Sequence, residues 1–187
     1  MELSKLVVQL ENFISDDYCE SILKWFLTNQ PLHMDGGVSN SNESKVVSQV
    51  KKATQAYPHP DDEISHLLTK VISNAYEKYS KINPVPKNEC ITARDYSVRV
   101  YKKNDGYFKE HIDQSAGSTV NRIFAIILYL NDVYIGGETN FPDLGISVKP
   151  QKGKVLIFPC NYLFRHSGQM PISNDKYIFT AFINYCS

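Results

Sequence analysis

Asp95-Tyr96-Ser97-Val98-Arg99-Val100-Tyr101-Lys102 falls where the chain changes its period. From residue 92 onward the segments are short, rich in β-branched and aromatic residues, and interrupted by turn formers. The expected strands are residues 95–102, 107–112, 122–130, 139–141, 146–148, 154–158, 163–166 and 177–185. So many short strands over about 95 residues predict a β-sandwich or barrel. Gly136-Gly137 and Gly153 fit tight turns before strands. No helix start follows them, so they are not a phosphate cradle.

The first half reads differently. Residues 6–10 are β-rich and predict a strand. Ser15-Asp16-Asp17 offers capping oxygens and first-turn negative charge to a helix that carries Tyr18, Ile22, Trp25 and Phe26 up to about Asn29. Trp25 reads as a core anchor. Residues 61–81 form the clearest helix, with Ile64, Leu67, Leu68, Val71, Ile72, Ala75, Tyr76 and Tyr79 on one wide apolar face and His66 off it. Between the helices, residues 30–60 hold Gly36-Gly37, a Ser/Asn cluster and Tyr57-Pro58-His59-Pro60, which is loop material with one short strand near 46–50. His33 and His59 in this stretch read as surface histidines, and the stretch itself as a lid. The expected fold is α+β, mainly β: one domain over residues 1–187, with a helical support over about 1–90 and a β-core over about 91–187.

Twenty basic residues balance twenty acidic ones in 187 residues. The zero net charge excludes a broadly basic nucleic-acid footprint and a polybasic membrane anchor. No apolar run approaches a membrane span, and Met1-Glu2-Leu3-Ser4-Lys5 has no signal-peptide pattern. The cysteines, Cys19, Cys90, Cys160 and Cys186, are far apart and form no CxxC. They predict neither a zinc ribbon nor a disulfide framework, and a reducing, cytoplasmic or otherwise intracellular setting for a soluble protein.

His111-Ile112-Asp113 is an HxD in an expected strand, so its two polar side chains share one face. His166 is the only histidine downstream and belongs to the same β-core. Two imidazoles and one carboxylate leave coordination positions open on a metal, as in non-haem Fe(II) oxygenases. Read from these residues alone, a hydrogen-bonded strand-end His166 and a surface His111 beside Glu110 stand as the other reading. After His166 the chain holds one cation, Lys176, and no arginine.

Residues from about 101 to 185 resemble the prolyl 4-hydroxylase-like Fe(II)/2-oxoglutarate dioxygenases. The resemblance rests on Tyr101-Lys-Lys-Asn-Asp-Gly106-Tyr107-Phe-Lys-Glu-His111-Ile-Asp113, on Arg122 through Tyr129-Leu130-Asn131, and on Gly136-Gly137-Glu138-Thr139-Asn140-Phe141-Pro142. It continues through Val148-Lys-Pro150-Gln-Lys-Gly153, then His166-Ser-Gly168-Gln-Met-Pro171, and ends at Lys176. It implies a double-stranded β-helix, or jelly-roll, core with Fe(II), 2-oxoglutarate and O2 as cofactors and ascorbate as a further one. It also implies that His111, Asp113 and His166 are the catalytic metal ligands and that Lys176 binds the distal carboxylate of 2-oxoglutarate. Tyr129 matches a tyrosine that serves the same carboxylate, with a packed core tyrosine as its other reading. Tyr101 matches a pocket tyrosine. Thr180 joins them because it shares strand parity with Lys176.

The expected function is hydroxylation of a C–H bond, that of peptidyl proline first, with release of succinate and CO2. The partner is then a Pro-containing peptide or protein, with no nucleic acid and no membrane. Arg99 and Arg122 are candidate substrate contacts, with ordinary solvated strand residues as the favoured reading. Hydroxylation of free proline or another small molecule is the rival within the class. A non-catalytic β-barrel binding module is the rival outside it.

Overall fold

The computed structural model describes residues 2–36, 38–40, 43–45, 48–85 and 89–186. In chain order it contains β1 (Val8–Leu10), α1 (Asp16–Thr28), β2 (Met34–Asp35), β3 (Val38–Asn40), β4 (Glu43–Lys45), β5 (Lys51–Lys52), β6 (Thr54–Ala56) and α2 (Glu63–Ile82). The β-core follows with β7 (Ile91–Tyr101), β8 (Tyr107–His111), β9 (Arg122–Tyr129), β10 (Thr139–Phe141), β11 (Ile146–Val148), β12 (Val155–Pro159), β13 (His166–Gly168) and β14 (Lys176–Tyr185). A major sheet has the order β1-β12-β9-β14-β7-β6-β2, a minor sheet the order β11-β10-β13-β8-β5, and β3 pairs with β4 in a separate hairpin. All of these pairings are antiparallel.

The major sheet is buried on both faces, which explains its uninterrupted apolar runs. Along β9, Phe124, Ile126 and Leu128 join the core built with the helices, whereas Ala125, Ile127 and Tyr129 join the core between the sheets. β12 and β14 divide the same way, with Val155, Ile157, Phe179, Ala181 and Ile183 toward the helices and Leu156, Phe158, Ile178 and Phe182 inside. Phe141 and Val148 of the minor sheet close the inner core. Each fully buried Ile, Leu or Phe contributes about 1.5–3 kcal/mol.

The two helices form where their periodicity placed them. Ser15 is the N-cap of α1, though its side chain makes no capping bond, and Asp16 and Asp17 supply the first-turn charge. Cys19, Ile22 and Phe26 are its buried stripe, with Trp25 half-buried against the core. α2 buries Ile64, Leu68, Val71, Ile72, Ala75 and Tyr79, and the Tyr79 ring lies 4.9 Å from that of Phe124. His66 is exposed. His33, read as a surface residue, is half-buried instead: it stacks on Phe26 at 4.1 Å and bonds the Phe26 carbonyl.

Several boundaries differ from the sequence reading. Residues 30–60 are not one loop: β6 and β2 extend the major sheet beyond β7, and β5 extends the minor sheet beyond β8. These two- and three-residue strands are too short for a period of two to emerge. Val46 and Val47 of the expected 46–50 strand lie outside the described residues, and 48–50 form a turn. Residues 162–164 form a 3-10 turn and the strand begins at His166, since Asn161 caps the turn by accepting a bond from the Leu163 N–H. At the N-terminus a 3-10 turn over Leu3–Leu6 precedes the strand.

The expectation of unpaired thiols is overturned. Cys90 and Cys186 form a disulfide, with Cα atoms 5.3 Å apart. The reason is tertiary. β7 and β14 pair with Ile91 opposite Tyr185, so the residues just past each strand end meet despite a separation of 96 positions. The ground for a reducing compartment goes with it. Cys19 and Cys160 remain free and buried. Among the described residues, no helix is long and apolar enough to cross a membrane.

A disulfide closing so long a loop chiefly restricts the unfolded chain. Reduction, or Cys90→Ser, is expected to lower unfolding stability by about 2–4 kcal/mol, read as a lower urea midpoint at an otherwise native circular dichroism spectrum.

Candidate metal and co-substrate site

β8 ends at His111 and β13 begins at His166, and the register of these two strands sets the residues directly opposite each other. Asp113 stands two residues past the end of β8. Its Oδ1 lies 3.6 Å from His111 Nε2 and its Oδ2 lies 3.5 Å from His166 Nε2. One ligand atom from each residue falls within 4.8 Å of the others. The remaining ring nitrogens are occupied: His111 Nδ1 donates to the Lys109 carbonyl at 2.8 Å, and His166 Nδ1 to the Phe164 carbonyl at 3.0 Å. Those bonds hold each ring with an Nε2 lone pair aimed at the shared point. Phe108 stacks on His111 at 3.5 Å, and Phe158 lies edge-on to His166 at 4.7 Å.

Electrostatics suit a cation at that point. Burial works against the Asp113 carboxylate, but His166 and His111 beside it hold its pKa well below the usual carboxylate range. Burial, and next the neighbouring His111, lowers His166 to about 4. Near neutral pH the cluster therefore presents one anion and a neutral His166. Two imidazole nitrogens and a carboxylate are a donor set that Fe(II) accepts with positions left open, so the residues present fit the metal.

Lys176 begins β14 on the inner face, 2% exposed, and its Nζ donates to the Gly137 carbonyl at 2.6 Å. Burial lowers its pKa to about 7. The Tyr101 and Tyr129 rings flank the ammonium at 5.6 and 5.5 Å. Gly137 adopts φ +78°, a backbone state that brings its carbonyl here and that side chains resist. The Tyr129 hydroxyl shares a 2.8 Å bond with Thr139 Oγ1, so this buried tyrosine keeps a polar tip inside the core. Thr180 Oγ1 bonds Ser97 Oγ at 2.9 Å. His111, Asp113, His166, Lys176, Tyr101 and Thr180 all line one chamber with about 440 Å³ free of protein atoms, part of it open to solvent. Tyr129 sits behind the wall, reaching the chamber through Thr139.

The structure adds residues that the sequence did not single out. Thr139 lines the chamber, and its neighbour Gly137 carries the carbonyl that Lys176 holds. Arg99 is half-buried and lines the chamber, not a solvated strand residue. Arg122 is also withdrawn from solvent. It stacks over Phe182 at 3.6 Å, pairs with Asp95 at 2.7 Å, and donates from Nη1 to the Asp113 carbonyl, bracing the turn that carries the carboxylate. Buried Lys51 lies 5.2 Å from the Phe108 ring centroid and donates to Gln55 Oε1, and burial lowers its pKa to about 6. Strand parity was the available signal for Arg99, which shares its face with Tyr101. None existed for Lys51, since its two-residue strand has no pattern.

Known proteins are similar to this chain. Residues 96–184 match the model of the 2OG-Fe(II) oxygenase superfamily. The chain is 26% identical over 172 residues to prolyl 4-hydroxylase 2 of Arabidopsis thaliana, covering 79% of this chain and 54% of that one. It is 28% identical over 148 residues to a putative prolyl 4-hydroxylase of Acanthamoeba polyphaga mimivirus, covering 63% and 61%. The chain thus spans little more than half the length of these relatives. Among solved structures, it resembles a viral collagen prolyl hydroxylase from Paramecium Bursaria Chlorella virus-1 in complex with 2OG, with a TM-score of 0.70, 20% identity and 97% of each chain covered. It also resembles a Trichoplax adhaerens prolyl hydroxylase in complex with a hypoxia inducible factor peptide, with a TM-score of 0.77, 18% identity, and 97% and 84% covered. Residues 96–184 are thus similar to the 2OG-Fe(II) oxygenase superfamily, and the chain as a whole is similar to prolyl 4-hydroxylases.

Proposed function

We propose that this chain is an Fe(II)- and 2-oxoglutarate-dependent dioxygenase that hydroxylates prolyl residues of a peptide or protein. The observation that carries this reading is one chamber holding both a two-histidine, one-carboxylate cluster and a buried lysine. In this reading His111, Asp113 and His166 hold the iron and Lys176 receives the distal carboxylate of 2-oxoglutarate. Bound iron with 2-oxoglutarate and O2 would supply oxidation of a C–H bond to C–OH, coupled to release of succinate and CO2. The chain's own part is positional. Nδ1 bonds to backbone carbonyls fix both imidazoles. The buried ammonium and its carboxylate partner orient the co-substrate, because a charge pair is strong where water is excluded. Thr139 steadies the Tyr129 hydroxyl from the chamber side, and Tyr101 and Thr180 shape the same wall. Helical support and β-core act as one domain, since the helices cover the outer face of the sheet that carries Lys176. Peptidyl proline is taken as substrate from the named activities of the relatives.

Anaerobic addition of Fe(II) and 2-oxoglutarate is expected to produce a weak visible charge-transfer band. With O2, a panel of Pro-containing peptides is expected to gain one oxygen atom by mass spectrometry, with matching succinate. Neither band nor succinate would overturn the reading, and activity on free proline without activity on peptides would move the substrate to a small molecule. Asp113→Ala removes a ligand and is expected to abolish both signals.

Lys176→Ala is expected to weaken 2-oxoglutarate binding at least roughly thirtyfold, since breaking a buried charge pair costs about 2–5 kcal/mol. The lysine also sets a pH dependence. With the free amine lowered to about 7, it is largely neutral at higher pH, whereas a bound carboxylate favours the ammonium. Binding should take up a proton near pH 8, and affinity should fall above pH 7, approaching about tenfold per unit. Calorimetry in buffers of different ionisation enthalpy reads both, and a flat profile would contradict the assignment.

A further inference from the structure

Arg99 is a charge that the proposed chemistry leaves unused. It faces Gln55 of β6 on one side and Ile178 of β14 on the other, and lines the chamber together with His111 and Asp113. Its Nε donates to Ser97 Oγ at 2.9 Å, a neutral partner. Among the described residues no carboxylate pairs with it, in contrast to Arg122, matched by Asp95, and Arg165, matched by Asp143 and Glu110. Tyr101 is a second neutral hydrogen-bond partner. Lys51, bonded to Gln55, is a nearby group of like sign, its pKa lowered first by burial and then by the Arg99 charge. The anion sharing the chamber is Asp113, which the metal would engage.

Charge accounting sharpens the point. In the proposed loaded site, a divalent ion and a dicarboxylate offset each other, and Asp113 offsets Lys176. Both carboxylates of the co-substrate then have partners, one at the metal and one at the lysine. Arg99 is left over, half out of water, with donors that a planar fork can aim at a carboxylate. A guanidinium in that setting is stabilised when the remaining component, the substrate, brings the anion.

We propose that Arg99 is a specificity-determining residue that reads a carboxylate of the substrate next to the reacting residue. The carboxylate is an acidic side chain flanking the proline or the free α-carboxylate of a chain end. This rests on the iron and 2-oxoglutarate reading above and deepens it by defining the substrate as acidic at the reacting position.

The test is binding to protein loaded with Fe(II) and 2-oxoglutarate under anaerobic conditions, measured by calorimetry. The probes are matched peptides with proline flanked by Glu or by Gln, and with a terminal proline as free acid or amide. Wild type is expected to bind one acid form about tenfold more tightly than its neutral isostere, as a hydrogen bond to a charged group allows. The preference should shrink with added salt. Which pair shows it separates side chain from chain end. Arg99→Gln should bind acid and neutral forms alike, and Arg99→Lys should retain part of the preference. The ratio within one protein is unaffected by a general loss of affinity. Equal binding by wild type, or a preference surviving in Arg99→Gln, overturns the role of Arg99 while the charge-transfer band leaves the site reading standing. A wild type without that band overturns both.

Discussion

A slip of one residue in the pairing of β13 with β8 would turn His166 to the opposite face of the minor sheet, because side chains alternate along a strand. The register instead sets His166 opposite His111. The remaining features of the site depend on that alignment. It brings both Nε2 atoms to the Asp113 carboxylate, and the backbone carbonyls of Lys109 and Phe164 hold the rings there. The aromatic packing of Phe108 and Phe158 around the two rings stabilises the pairing and keeps water from the rings' flanks. Phe141 adds to it from β10.

The opposite wall obeys a second constraint. The major sheet has to bury both faces, so its inner face is largely apolar, and the polar groups on it are few and bonded. Lys176 is held by Gly137, Thr180 by Ser97, and Tyr129 by Thr139. Among the described residues no buried polar side-chain atom lacks a partner. Such a wall strengthens each charge it does carry, because the surroundings cannot screen it. Lys176 and Arg99, far apart in sequence, are brought onto one wall by the β7–β14 ladder, which places Lys176 opposite Tyr101 and Arg99 opposite Ile178. One cation is bonded to a backbone carbonyl and the other to the Ser97 and Tyr101 hydroxyls, neutral partners that leave both charges available to anions.

Much of this was legible beforehand, for identifiable reasons. α2 was legible because an amphipathic face repeats over five turns' worth of sequence, and β9 because a continuous apolar run bounded by turns has few other uses. Lys176 was legible by scarcity, as the one cation after His166. Arg99 was misread as solvated, since alternation along β7 tells which residues share its face but not what stands opposite that face. The edge strands within 30–60 were missed because they are held by neighbours rather than by their own pattern. The disulfide was missed because cysteine spacing along the chain carries no information on strands that meet after 96 residues.

By itself the sequence determined the period of each segment, the identity of the polar residues on the inner strands, and the family they resemble. These are local properties, set by side-chain alternation and by residue chemistry. The tertiary structure decided which of those residues meet: His111 with His166, Cys90 with Cys186, Lys176 with Gly137, and Arg99 with the chamber rather than the solvent. Those outcomes depend on strand register and on closure of two sheets over one another, and both are fixed by long-range packing that no single segment contains.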